Sequence, residues 1–190
     1  DLESSARSGL PGVRADDRSG ERIEMSDWSA EDWIAYLQLE PHPEGGYFRR
    51  AYAAQLQLPA GALPDHGAER AVATAIYYLL PAGQRSRLHR LKSDELWHFY
   101  TGSPLTVQVL GASGECATWR LGPDPRVGQH FLLPIRAGCW FGATVDEPSG
   151  FSLIGCTVAP GFDFADFELA DRDALLRQYP HYAKFIERLT

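Results

Sequence analysis

The chain predicts a mainly β fold, an antiparallel barrel or sandwich with short helices at both ends, and three observations carry that reading. Short apolar or aromatic runs follow one another from Tyr47 to Phe167. The runs are separated by turn-forming clusters such as PAG, TGSP, GASG and EPSG, which is the rhythm of strands joined by tight connections. Helical spacing occurs only outside this region.

Taken in order, residues 1–24 are rich in Gly, Ser, Arg and Asp and nearly lack large apolar side chains. They read as a flexible leader, and 25–190 as one domain. A helix is expected over 29–39: Ser29 can cap it, Glu31 and Asp32 suit its positive first turn, Trp33, Ile34 and Leu37 share a face, and Pro41 stops it. Strands are expected at 71–80, 96–100, 105–110 and 151–158. Evenly spaced short strands argue for a barrel or sandwich. A closing helix begins after Asp171, with Leu175, Leu176 and Tyr179 on one face, and a last turn carries Phe185, Ile186 and Leu189.

Composition narrows the functional classes. A formal net charge of -7 disfavours nonspecific binding to nucleic acid, which needs clustered Lys and Arg. No apolar run approaches the roughly 18 residues of a membrane span, and no signal-peptide pattern is present. The expectation is a cytoplasmic protein without a membrane or nucleic-acid partner. Cys116, Cys139 and Cys156 are an odd number with no CxxC spacing, so neither a disulfide framework nor a cysteine zinc site is expected.

The most informative stretch is GQRSRLHRLKSDELWHFYTG at 83–102. Gly83, His89, Glu95 and Gly102 fall in a spaced pattern of glycine, His-x-His, glutamate and glycine, with Leu91 where a second histidine would stand. Alternate residues of a strand share a face, so His89 and Leu91 look the same way and Glu95 joins them from the next strand. Together with PHPEGGYFRR at 41–50, TAIYYLL at 74–80 and GCTVAPGFDFADFEL at 155–169, this stretch resembles the cupin superfamily, in particular its small cupin-5 type. The resemblance implies a double-stranded β-helix (jelly-roll) barrel, usually dimeric and similar to the dTDP-sugar epimerase group, with a ligand pocket inside the barrel.

In metal-binding cupins the His-x-His pair, the glutamate and a later histidine form a nitrogen-and-oxygen site. Here Leu91 replaces one ligand, and no histidine follows RAGCW at 136–140, where the second motif would supply another. The expectation is therefore no cofactor, with a divalent metal (Fe, Mn, Zn or Ni) on His89 and Glu95 as the alternative.

Without the metal, His89 and Glu95 read as an acid/base pair, a histidine oriented by a carboxylate. Tyr78 or Tyr47 is a candidate second proton donor. His98 is a further catalytic candidate: alternation from Glu95 places it on the opposite face, and a bulge would turn it inward. Tyr47, Trp97, Phe99 and Trp140 are expected to line a pocket suited to a sugar-like ligand. Arg49, Thr74 and Ser86 are the expected polar lining, with Arg49 favoured over Arg50 to face inward and hold an anion. The functional expectation is an isomerase, epimerase or lyase acting by proton transfer on a sugar-like or carbonyl-containing anion, in a homodimer. The alternatives are a noncatalytic ligand-binding cupin and a metal-dependent enzyme with an atypical ligand set.

Overall fold

The computed structural model describes residues 28–190; the reading of 1–24 as a leader falls outside them. Helix α1 (Ala30–Leu37) starts on the expected cap, where Ser29 Oγ accepts the Asp32 N–H and the Asp32 carboxylate accepts the Ser29 N–H. This reciprocal pair satisfies two donors that the first turn would otherwise leave open. The helix ends earlier than expected. Gln38 turns left-handed at φ 53, closing the last turn on Ala35 and Ile34, and Pro41 lies in the strand that follows.

The strands are β1 (Glu40–Pro41), β2 (Tyr47–Ala53), β3 (Gln57–Leu58), β4 (Arg70–Ala71), β5 (Thr74–Pro81), β6 (Arg85–Leu91) and β7 (Asp94–Gly102). They continue with β8 (Leu105–Leu110), β9 (Cys116–Leu121), β10 (Gln129–His130), β11 (Leu132–Ile135), β12 (Trp140–Val145), β13 (Phe151–Ala159) and β14 (Phe167–Leu169). Two helices close the chain, α2 (Arg172–Gln178), capped by Asp171 as expected, and α3 (Ala183–Leu189). No helix among the described residues is long and apolar enough to cross a membrane.

Two six-stranded sheets dominate, one ordered β1-β2-β5-β13-β7-β11 and the other β10-β9-β8-β12-β6-β14. They form a jelly roll of facing sheets rather than one continuously hydrogen-bonded cylinder. Trp97, Tyr78, Ile154 and Leu133 of the first sheet interleave with Phe141, Val107, Leu105 and Leu91 of the second. Burying each such side chain contributes about 1.5–3 kcal/mol. The outer faces are capped by helices. Trp33 and Leu37 of α1 pack on Leu79 and Leu153, while Leu175, Phe185, Ile186 and Leu189 of α2 and α3 cover Leu88, Leu110 and Trp140.

Strict alternation would send Ser86 and His89 to opposite faces of β6, because they are three residues apart. A bulge against β12 prevents this: Phe141 pairs with His89 and Ala143 with Ser86, so both look inward. Gly142, opposite the bulge, permits the close approach, since a Cβ there would lie 2.7 Å from the Ser86 carbonyl oxygen. On β2, Phe48 pairs with Tyr78 and Arg50 with Ile76, which points Phe48 and Arg50 to the interior and Tyr47 and Arg49 outward.

Candidate functional site

Between the sheets lies a pocket with about 460 Å³ of empty space, its open mouth included. Glu44, Tyr78, His89, Leu91, Glu95 and Cys156 form its interior; His42, Phe48, Phe162 and Phe167 roof it, and Arg50 stands at the rim. The turn between β1 and β2 delivers Glu44. Gly45 at φ 112 and Gly46 at φ 68 take backbone angles that other residues resist. A Cβ on Gly46 would also come within 2.8 Å of the Tyr78 hydroxyl. The turn is pinned from two sides, with the Arg87 N–H donating to the Glu44 carbonyl at 2.8 Å and the Tyr78 hydroxyl to the Gly45 carbonyl at 2.8 Å.

Glu44 is the hub. Its Oε1 accepts the Ser86 hydroxyl at 2.8 Å, and its Oε2 lies 3.2 Å from His89 Nε2 and 3.4 Å from His42 Nδ1. The proton positions follow from the partners. His89 Nδ1 is 2.7 Å from the Arg87 carbonyl, an acceptor only, so Nδ1 carries a proton. Nε2 then faces a carboxylate oxygen, and one proton is shared between them, since two bare lone pairs would repel. His42 is arranged the other way round. Its Nδ1 accepts the Glu44 N–H at 3.2 Å, so the neutral ring bears its proton on Nε2. Burial pulls the His42 pKa below the usual imidazole value, and the His89 charge adds to the fall while Glu44 opposes it.

Glu95, only 6% exposed, lies deeper. Burial and then the Glu44 charge push its pKa up to about 8, against the lowering influence of the Trp97 indole and the Cys156 thiol. At neutral pH it is a carboxylic acid, and its Oε2 has no hydrogen-bond partner among the described residues. Cys156 and Tyr78 are both held well above their ordinary pKa values, chiefly by burial. Neither is an anion here.

The residues expected from the sequence divide accordingly. His89, Glu95, Tyr78 and Thr74 line one pocket. The carboxylate that touches His89, however, is Glu44 and not Glu95, because the glycine turn reaches over the mouth and inserts a closer partner. Tyr78 spends its hydroxyl on the Gly45 carbonyl, which removes it as a ready proton donor. His98 faces away: its bulge neighbour is Tyr100, further along β7, so Nε2 meets Thr157 Oγ1 at 3.3 Å on the outer side of the sheet. Ser86 is fully buried beneath Glu44 rather than on the ligand surface.

The remaining aromatics serve the core. Tyr47 packs with the α1 cluster, and Trp140 lies under α2 and α3 with the Arg90 guanidinium 4.5 Å from its ring centroid. Trp97 and Phe99 pack in the core between the sheets. Arg49 donates to the Leu37 carbonyl and the Gln38 side chain at the end of α1, leaving Arg50 as the pocket's cation. Asp163 caps a turn and Glu168 pairs with Arg90 on the surface. Sequence reasoning missed Glu44 and His42 as members of the site; the PHPEGG segment at 41–46 was their signal.

These donors do not fit a tightly held divalent ion. Leu91 offers an apolar wall where a ligand would be needed, and the His42 Nδ1 lone pair is occupied by a backbone N–H. Among the described residues no three His, Cys, Asp or Glu side chains converge suitably.

The family model described as "Cupin superfamily (DUF985)" matches residues 31–170. The chain belongs to this cupin family. A Shewanella oneidensis protein solved by X-ray crystallography is 38% identical, with a TM-score of 0.78 over 86% of this chain and 98% of that one. A hypothetical protein from Leishmania major is 31% identical, with a TM-score of 0.79 over 86% and 99%. A cupin 2 domain-containing protein from Halorhodospira halophila shares the fold at 14% identity and a TM-score of 0.51, over 80% and 86%. Among curated proteins no match was found.

Proposed function

We propose that this cupin is an isomerase, epimerase or lyase that moves a proton on a small carbonyl-containing anion bound between its sheets. The observation that carries the reading is the coexistence, in one pocket, of a histidine and carboxylate 3.2 Å apart, within reach of one shared proton, and of a second carboxyl with a pKa of about 8. Groups whose environments drive their protonation apart are how one site supplies acid and base together at neutral pH. In the proposed cycle the Glu44 carboxylate, which keeps a free lone pair while it faces the His89 Nε2–H, takes a proton from the carbon beside the carbonyl and returns it. Glu95 donates a hydrogen bond from the apolar interior, and the Arg50 guanidinium at the rim holds the anionic end of the substrate. Arg50 suits that task because no carboxylate pairs with it among the described residues.

The test is solvent deuterium incorporation. Sugar phosphates, hydroxy ketones and 2-keto acids are incubated with the protein in heavy water, and loss of the carbon-bound proton signal is followed by NMR. Exchange is expected with at least one class, slowed about a hundredfold to ten-thousandfold in His89→Asn and in Glu44→Gln, the range contributed by general acid–base groups. Undiminished exchange in both variants, or none with the whole panel, would overturn the proposal.

A homodimer belongs to the same reading. Tyr100 is 52% and Leu132 47% exposed on the strands next to His98, and an apolar sheet face of this kind is commonly covered by a second copy. Light scattering should give twice 21.1 kDa, and Tyr100→Glu should shift it toward the monomer; a monomeric native chain at micromolar concentration would refute this part.

A further inference from the structure

The proposed cycle assigns work to Glu44, His89, Glu95 and Arg50 and leaves His42 idle, although its ring is held on several sides. Its Nδ1 is committed to the Glu44 N–H at 3.2 Å. Phe48 meets it edge-on at 4.6 Å between centroids, Phe167 at 5.8 Å and Tyr78 at 6.1 Å, while Phe164 stacks on it at 6.0 Å. Rotating the ring would break the Nδ1 bond and the packing together. The Nε2–H has no protein acceptor among the described residues, and the ring lines the pocket. On a ring that lines a ligand cavity, a buried donor given no internal acceptor is a donor awaiting a ligand atom.

We propose that His42 is the pocket's neutral imidazole donor, its Nε2–H bonding the carbonyl oxygen of the ligand while the neighbouring Glu44–His89 unit handles the proton on the adjoining carbon. This rests on the proton-transfer reading above and sharpens it: the ligand class becomes an enolisable carbonyl compound whose oxygen gains negative charge during reaction. Both rings abut the same carboxylate oxygen of Glu44, so the oxygen-binding and proton-accepting groups are adjacent, as a carbonyl and its α-carbon require. A neutral imidazole is the suitable donor. It stabilises a developing oxyanion without surrendering its own proton. The titratable groups facing His42 are Glu44 on its own turn, His89 from β6 and Tyr78 from β5.

The experiment uses the full chain labelled with nitrogen-15 in histidine and phosphoglycolate as the probe, a molecule with a planar carboxylate for the pocket and a phosphate for Arg50. The ring nitrogens of His42 should report the neutral Nε2–H tautomer through neutral pH, and saturating phosphoglycolate should shift the Nε2 proton. His42→Phe should weaken binding about tenfold to a hundredfold, as expected for loss of a hydrogen bond to a charged group. His42→Gln, which restores an N–H, should recover part of that loss. An imidazolium or Nδ1–H tautomer in the free protein, an unmoved Nε2 resonance, unchanged affinity in His42→Phe, or no phosphoglycolate binding would each overturn the assignment. If deuterium exchange fails while these results hold, the donor role stands and the proton-transfer reading falls.

Discussion

Two buried acids, Asp166 and Glu95, are equally hidden from solvent at 6% exposure each, and the protein treats them in opposite ways. Asp166, in the segment that roofs the pocket, receives a two-pronged bond from Arg70 at 2.6 and 2.9 Å, with Lys92 Nζ at 3.6 Å from its Oδ1. That geometry repays the desolvation of both charges and ties the roof, between Phe162 and Phe167, to β4. Among the described residues Glu95 has no ion-pair partner, and its Oε2 has no hydrogen-bond partner. The like charge of Glu44 bears on it as well, and it remains neutral instead. A buried charge that serves the fold is answered by the fold. One left unanswered in a cavity lies where a ligand can answer it.

Removing the partner of Asp166 should produce the largest effect on stability. Arg70→Ala leaves the buried Asp166 carboxylate with the longer Lys92 contact alone and should cost up to about 3–5 kcal/mol, measured by urea denaturation; a loss below about 1 kcal/mol would mean that the pair is not a clamp.

Glu95 should behave oppositely, and its sign can be worked out. Its folded pKa, about 8, lies above the ordinary carboxyl value of 4.5. The folded state therefore holds a proton that the unfolded state gives up between those values, and stability falls as pH rises from about 4.5 to 8 and then levels off. Glu95→Gln, neutral throughout, should flatten that decline and exceed the native protein above pH 8 by a few kcal/mol. Parallel curves for the two proteins would refute the neutral acid.

The smallest effect belongs to the exposed pair of Arg90 and Glu168, at 2.7 Å. Glu168→Ala should change stability by no more than about 1 kcal/mol and lose even that in high salt. A loss as large as that of Arg70→Ala would erase the distinction between buried and exposed pairs.

Much of this molecule was legible in its sequence. The strand at 105–110, the strand ending near 158, the Ser29 and Asp171 caps and the core role of Leu175 and Ile186 follow from local rules of spacing and capping. The presence of His89 and Glu95 in one interior was readable from the spaced motif. Errors arose where alternation was interrupted or where distant segments meet. Ser86 and His89 share a face only because β6 bulges opposite Gly142, and nothing in a run of alternating residues announces which position will be doubled.

By itself, then, the sequence determined the elements and the family, because turn residues, caps and side-chain periodicity act over a few neighbours and leave their mark in order along the chain. The tertiary structure alone decided the partners. Glu44 and His89 are 45 positions apart in the chain, and which of Glu44 and Glu95 reaches the imidazole depends on how a glycine turn lies across the mouth. Arg49 and Arg50 differ by a single step of the pleat, and that step sends one to the end of α1 and the other to the ligand. Contacts and desolvation are properties of three-dimensional neighbourhoods, and they set which acid is charged, which is neutral and which ring can donate.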